Sequence, residues 1–199
     1  MTVLRDFYEL RGQSPWIDNI RRDWLEDGTL ARMVADGVRG VTSNPAIFAK
    51  AFTSTTAYDN LVAASSERDP EKVFETLAVA DVRDACDVLR PIFDSADEQR
   101  RAGQRRHGDG YVSLEVSPRL AHDTEGTVEA AVRLAREVGR PNLMIKIPAT
   151  REGLPAVTRV LGSGINVNVT LIFSVSRYLE VLEAWSSGVR VAHEAGHDV

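Results

Sequence analysis

Cysteine is nearly absent: Cys86 stands alone in 199 residues. That excludes an internal disulfide framework and suits a reducing compartment. Long apolar runs are missing as well, since no stretch approaches the ~20 residues needed to cross a bilayer. The first residues, Met1 to Gly12, are too charged for a secretory signal. Basic charge is not in excess either. The net charge of -5 argues against a general nucleic-acid binder. The one dense basic run is Arg100, Arg101, Arg105 and Arg106, interleaved with glycines, and it is expected to be a solvated loop. Glycine-rich phosphate loops of the G-x-x-x-x-G-K-S/T or G-x-G-x-x-G type do not occur. What remains, 43% hydrophobic and 27% charged, is a globular composition long enough for one sizeable core. The expectation is a cytoplasmic protein with no membrane and no nucleic-acid partner.

Two kinds of segment alternate along the chain. Short β-branched or apolar runs fall at Trp16 to Ile20, Val38 to Thr42, Tyr111 to Val116, Leu143 to Ile147 and Ile165 to Leu171. Between them lie amphipathic stretches with helix signals. Asp69-Pro70-Glu71 offers a cap, a proline for the first turn and an acid beside it. From there Val73, Leu77, Val82, Ala85, Cys86 and Leu89 recur at near-helical spacing, predicted to span two successive helices, with Cys86 as a small core residue. Thr124 to Val138 stops at Gly139, and Leu154 to Leu161 stops at Gly162. Ser174 to Ser187 is predicted to close at Gly188, with Val181, Leu182 and Trp185 facing inward.

Strands alternating with helices predict βα units and a parallel sheet. About five strands are counted, and no composition shift marks a domain boundary, so residues 1–199 read as one domain. Eight units close a barrel of about 250 residues. The chain therefore either stops partway round a barrel or forms a complete open sheet. Polar residues gather where the strands end: Asp18, Asn44, Glu115, Lys146, Asn168 and Thr170. In parallel α/β folds that edge collects catalytic groups.

Lys146 stands out among them, a lone ammonium in Leu143-Met144-Ile145-Lys146-Ile147-Pro148. Such a lysine either snorkels to water or has its charged form penalised by desolvation. The second case suits an amine that attacks carbonyls, because only the neutral form is nucleophilic. Taken one at a time, the other residues have plainer readings: Asp18 as a turn carboxylate, Glu115 as a solvated strand end, Asn44-Pro45 as a turn pair, Asn168 as a strand cap.

Four segments in register change that balance. Gly40-Val41-Thr42-Ser43-Asn44-Pro45-Ala46-Ile47-Phe48 resembles the first signature of the transaldolases. Leu143 to Pro148, followed by Ala149-Thr150-Arg151-Glu152-Gly153-Leu154, resembles their Schiff-base lysine signature. Tyr111 to Leu120 and Gly164 to Leu171 look like the third and fifth strands of the same family, and Trp16-Ile17-Asp18 looks closest to its longer bacterial members. The resemblance implies an incomplete (β/α)8 barrel, with three further strands and the phosphate grip expected beyond Val199. It implies a transferase that moves a dihydroxyacetone unit from sedoheptulose 7-phosphate to glyceraldehyde 3-phosphate without a cofactor, sugar phosphates being its partners. Lys146 would form the Schiff base, and Asp18 would take the proton of the C4 hydroxyl. Glu115 would act through a water held by Thr170. Asn44 and Asn168 would orient the lysine and the substrate hydroxyls.

Three rival readings are weighed. A class I aldolase cleaving fructose 6-phosphate without an acceptor shares the lysine and the barrel. A catalytically inert fragment would keep the fold signals alone. Finally, His193-Glu194-Ala195-Gly196-His197 matches the H-E-x-x-H zinc pattern, but Gly196 weakens the helix and no third ligand follows, so no metal is expected. Asn168-Val169-Thr170 is taken as an accidental glycosylation sequon.

Overall fold

A computed structural model describes residues 2–103 and 108–198. Its strands are β1 (Trp16–Asp18), β2 (Gly40–Thr42), β3 (Val112–Glu115), β4 (Leu143–Pro148) and β5 (Val167–Thr170), which follow the runs that the apolar pattern marks out, β4 reaching one residue beyond its run. They follow one another in chain order, β1-β2-β3-β4-β5. The β1–β2 and β4–β5 pairs are parallel. Parallel neighbours joined by helical crossovers define the α/β class, here five of the units that an eight-stranded barrel repeats. The described chain resolves into two compact units.

The first unit comprises Met1–Val112 and Arg140–Asn142. It carries α1 (Val3–Arg11), α2 (Arg22–Glu26), α3 (Thr29–Asp36), α4 (Pro45–Ser54), α5 (Asp59–Ala64) and α6 (Pro70–Arg101). The Asp69-Pro70 start holds as predicted, with the Asp69 carboxylate accepting from the Glu71 N–H at 3.0 Å. The two helices expected after it are in fact one, continuous through Pro91. Proline removes one intrahelical hydrogen bond, but Leu77, Val82, Ala85, Cys86, Leu89 and Ala96 keep one face buried on both sides of it. Tertiary packing outweighs the local breaker. Arg100 and Arg101, expected in a loop, instead form the last turn of α6 and pair with Asp97 at 2.9 and 2.7 Å. Cations suit the carbonyl end of a helix dipole. Arg105 and Arg106 lie outside the described residues.

Two features order the interior of this unit. Phe52 meets Tyr58 and Phe74 edge-on at 4.4 and 5.1 Å, joining α4, α5 and α6. Beside them the Tyr58 hydroxyl donates to Asp81 at 2.6 Å and accepts from the Arg22 N–H at 2.8 Å. The Arg22 guanidinium pairs with both Asp81 and Asp84. Asn142, also buried, donates to the carbonyls of Cys86 and Gly110, each at 2.9 Å. Cys86 is the core thiol that the pattern predicts, its pKa pushed up to about 12 by burial.

The second unit comprises Ser113–Gly139 and Leu143–Val199, with α7 (Thr124–Val138), α8 (Gly153–Gly162) and α9 (Val175–Glu194). Helix α7 has the predicted limits. Helix α9 does not: it runs through Gly188 to Glu194. A Cβ at Gly188 would meet Leu161 Cβ at 2.7 Å and the Thr158 carbonyl at 2.9 Å, so the glycine is there to let α8 approach. It is a contact residue, not a stop. Val181 is buried as expected, whereas Leu182 and Trp185 face solvent among the described residues. Leu182 lies about 100° round the helix from Val181, off the face that α8 covers, and Trp185 stands at the border of that face.

Candidate active site

Strand β4 sets the centre of the candidate site. Its inward alternation buries Leu143, Ile145 and Ile147, which turns Lys146 to the opposite face. There the Lys146 side chain is 12% exposed and the Glu115 side chain 15%. Lys146 Nζ lies 3.4 Å from Glu115 Oε2. Glu115 ends β3, and the Val116 N–H donates to the Lys146 carbonyl at 3.1 Å, which ties the two strands at this level. The lysine is therefore neither in bulk water nor sealed in the core.

Strand β5 adds the next residues by register. Lys146 stands opposite Asn168, and Pro148 opposite Thr170. Side chains opposite one another in a parallel pair share a face, so Asn168 and Thr170 belong to the same surface as the lysine. The Asn168 amide donates to the Ser113 hydroxyl at 2.9 Å, which orients it. Ser113 is fully buried and two residues before Glu115 on β3, hence on the same face. Sequence reading missed it, although its period-two spacing from Glu115 was the signal available.

The loop that leaves β4 is held tightly. The Thr150 hydroxyl donates to the Ala121 carbonyl at 2.6 Å and accepts from the Gly153 N–H at 2.9 Å. A Cβ at Gly153 would sit 2.1 Å from the Pro148 carbonyl oxygen, so only glycine fits this turn. The loop therefore fixes where β4 ends and, through it, where Lys146 stands.

Asp18 and Asn44 belong to the first unit. Asp18 closes β1 in register with Thr42 of β2. Asn44 caps α4, its side-chain oxygen accepting from the Ile47 N–H at 2.9 Å, with Pro45 in the first turn. The zinc pattern fails on geometry: α9 ends at Glu194, and Gly196 at φ 81° turns the chain before His197. The two histidines thus do not share a continuous helical turn. Among the described residues no group of three or more His, Cys, Asp or Glu side chains is placed to hold a metal, and no helix is long and apolar enough to cross a membrane.

Parallel strands joined by helices, with a shielded lysine and carboxylate at adjacent strand ends, define an α/β protein of the barrel type. Residues 15–196 match the model of the transaldolase/fructose-6-phosphate aldolase family, and the chain belongs to that family. It is 47% identical over 202 residues to a transaldolase of Thiobacillus denitrificans, covering all of this chain and 54% of that one. It is 50% identical over 191 residues to a transaldolase of Acidothermus cellulolyticus, covering 94% of this chain and 49% of the relative. A transaldolase of Mycobacterium bovis is 47% identical over the same length, again 94% against 49%. The chain spans about half the length of the curated relatives it matches.

Proposed function

We propose that this chain carries the Schiff-base machinery of a transaldolase. In this reading the Lys146 amine adds to the ketose carbonyl, and the carbinolamine loses water to give an iminium. Glu115, through a bound water that Thr170 helps to hold, supplies and removes the protons of that dehydration. As the carbon–carbon bond breaks, its electron pair passes into the iminium, leaving an enamine of dihydroxyacetone on the lysine and releasing an aldehyde. The enamine then attacks an acceptor aldehyde, and hydrolysis frees Lys146. The donor is sedoheptulose 7-phosphate and the acceptor glyceraldehyde 3-phosphate, and no cofactor takes part. Asn168 orients the lysine and a substrate hydroxyl. For Asp18, as acceptor of the C4 hydroxyl proton, and for Asn44, as a second orienting amide, the support is the sequence motif.

The observation that carries the reading is the 3.4 Å approach of Lys146 to Glu115, both mostly shielded at adjacent strand ends. A carboxylate in direct reach of the amine, and able to hold a water beside both, can supply and remove the protons that iminium formation needs. Borohydride reduction in the presence of fructose 6-phosphate tests it. The expected result is a stable adduct located at Lys146 by mass spectrometry. A folded sample that gives none overturns the proposal. Because the family description joins transfer with simple aldol cleavage, turnover should also be measured with and without an acceptor aldehyde. Dependence on the acceptor distinguishes the transferase.

A further inference from the structure

Helix α1 buries no residue, yet polar contacts fix it to the first unit. The Thr2 hydroxyl donates to the Asp36 carbonyl. The Arg5 guanidinium donates from Nε and Nη2 to the Ala35 carbonyl at 3.0 and 2.5 Å. The Arg39 guanidinium lies 3.6 Å over the Tyr8 ring. Thr2, Arg5 and Tyr8 are spaced by threes, so these ties leave one side of the helix. On that side Gly37 comes so close that a Cβ on it would meet the Arg5 nitrogen at 2.8 Å. At about 100° per residue, Val3, Phe7 and Leu10 cluster on the side away from the ties. All three are exposed, Val3 by 70% and Leu10 by 76%. Asp6 and Arg11 flank this stripe, one on either side and each about 70° from its centre. Neither forms an ion pair among the described residues.

We infer that this stripe is a self-association surface, on which a second copy of the chain lays its own α1 parallel to the first about a two-fold axis. Val3, Phe7 and Leu10 occupy the d, a and d places of a heptad, with Asp6 at g and Arg11 at the e that follows. In a parallel pair the g and e places of opposite helices meet. Asp6 of one copy therefore faces Arg11 of the other, and the two-fold axis repeats the pair. An antiparallel arrangement would set like flanks together, Asp6 against Asp6 and Arg11 against Arg11. The polar ties order the helix before it pairs, so association costs little conformational entropy. One heptad is a small contact, which places the dimer at the weak end of specific interfaces. A membrane surface suits α1 less, because its polar side carries Asp6 and Glu9 where lipid-binding helices carry lysine and arginine. The pattern belongs to α1 itself and is independent of the lysine chemistry.

Sedimentation equilibrium of the whole chain tests this. Expected is a reversible equilibrium between monomer and dimer. Phe7→Glu and Leu10→Glu are expected to weaken it at least about 30-fold, the level of an interface hot spot. Leu61→Glu, on the exposed side of α5, should leave it intact. Asp6→Arg or Arg11→Asp alone should weaken the dimer about tenfold, since two exposed ion pairs become two repulsions. The double exchange, Asp6→Arg with Arg11→Asp, should restore the wild-type constant, which a misfolded helix could not do. Urea midpoints should stay near wild type throughout, because none of these side chains is buried. A wild-type chain that stays monomeric, a dimer indifferent to the α1 substitutions, or single exchanges that the double exchange fails to rescue would each overturn the inference.

Discussion

Each unit holds a shielded ion pair, and the two pairs are built for different ends. Arg22 and Asp81 in the first unit are closed off: Asp81 is fully buried, and Tyr58, Asp84 and the Arg22 backbone complete the network. Burial outweighs the guanidinium and the phenol and pushes the Asp81 pKa up to about 6, while the two carboxylates raise that of Arg22. Burial and Asp81 together raise Tyr58. The geometry, with a guanidinium against both carboxylates, marks the charged pair as the native form at neutral pH. Lys146 and Glu115 in the second unit are looser at 3.4 Å, keep a small opening, and stand at strand ends. A sealed pair fixes a fold, and an accessible one can give up its partner to a substrate. Buried ion pairs add little stability over an apolar replacement, yet breaking one is expensive.

The contrast is broken most completely at Lys146. Lys146→Met is expected to abolish borohydride trapping while the urea midpoint stays near wild type; an adduct elsewhere on the chain would show that the wrong amine was chosen. Glu115→Gln should slow trapping by ~10²–10⁴-fold, the usual range for a lost acid/base group, and an unchanged rate would remove Glu115 from the chemistry. Asp81→Asn should do the reverse, leaving trapping per folded molecule unaltered but lowering stability by ~3–5 kcal/mol. A loss below ~1 kcal/mol in urea would mean that the sealed pair is ornamental.

Smaller effects sharpen the same comparison. Because the folded pKa of Asp81 is raised above its ordinary 3.8 to about 6, the native state holds the proton more tightly than the unfolded chain. Stability contributed by this group is therefore present below about pH 4 and is lost as pH rises through about 6. Urea midpoints of wild type measured against Asp81→Asn should fall across that window, and a rise would invert the assignment. Tyr58→Phe leaves the Arg22 N–H and the carboxylate each short of a partner, at ~1–3 kcal/mol, with a larger loss at pH 7.5 than at pH 5. Equal losses at the two pH values would argue against a charge-assisted bond. Ser113→Ala should cost least, ~1 kcal/mol, with trapping slowed several-fold as Asn168 loses its anchor.

Much of this was legible in the chain. The strands follow the runs marked by apolar residues, β4 running one residue further to Pro148, and Asp69-Pro70 and Gly139 mark helix limits by capping chemistry. Lys146 was conspicuous because a charge interrupts an apolar strand. Helix α1 went unread, although Val3, Leu4, Phe7 and Leu10 recur at helical spacing; none of them is buried. Pro91 and Gly188 misled in opposite directions. Both are breakers by local propensity, and both sit inside helices because neighbouring surfaces reward continuity: the buried face of α6 in one case, the close approach of α8 in the other. Ser113 and the Arg22–Tyr58–Asp81 network were missed because their partners are distant in the sequence, up to 59 positions from Arg22 to Asp81 (81 minus 22) and 55 from Ser113 to Asn168.

By itself, the order of residues determined the alternation of strands and helices, which side of β4 faces inward, and that one amine would stand among apolar neighbours. These are consequences of periodicity and of local chain chemistry, which act over a few residues. Only the tertiary structure decided which carboxylate meets that amine, which one is sealed against Arg22, and which face of α9 stays bare. Those outcomes depend on strand register and helix packing between segments far apart in the chain, where burial energy overrides local preference.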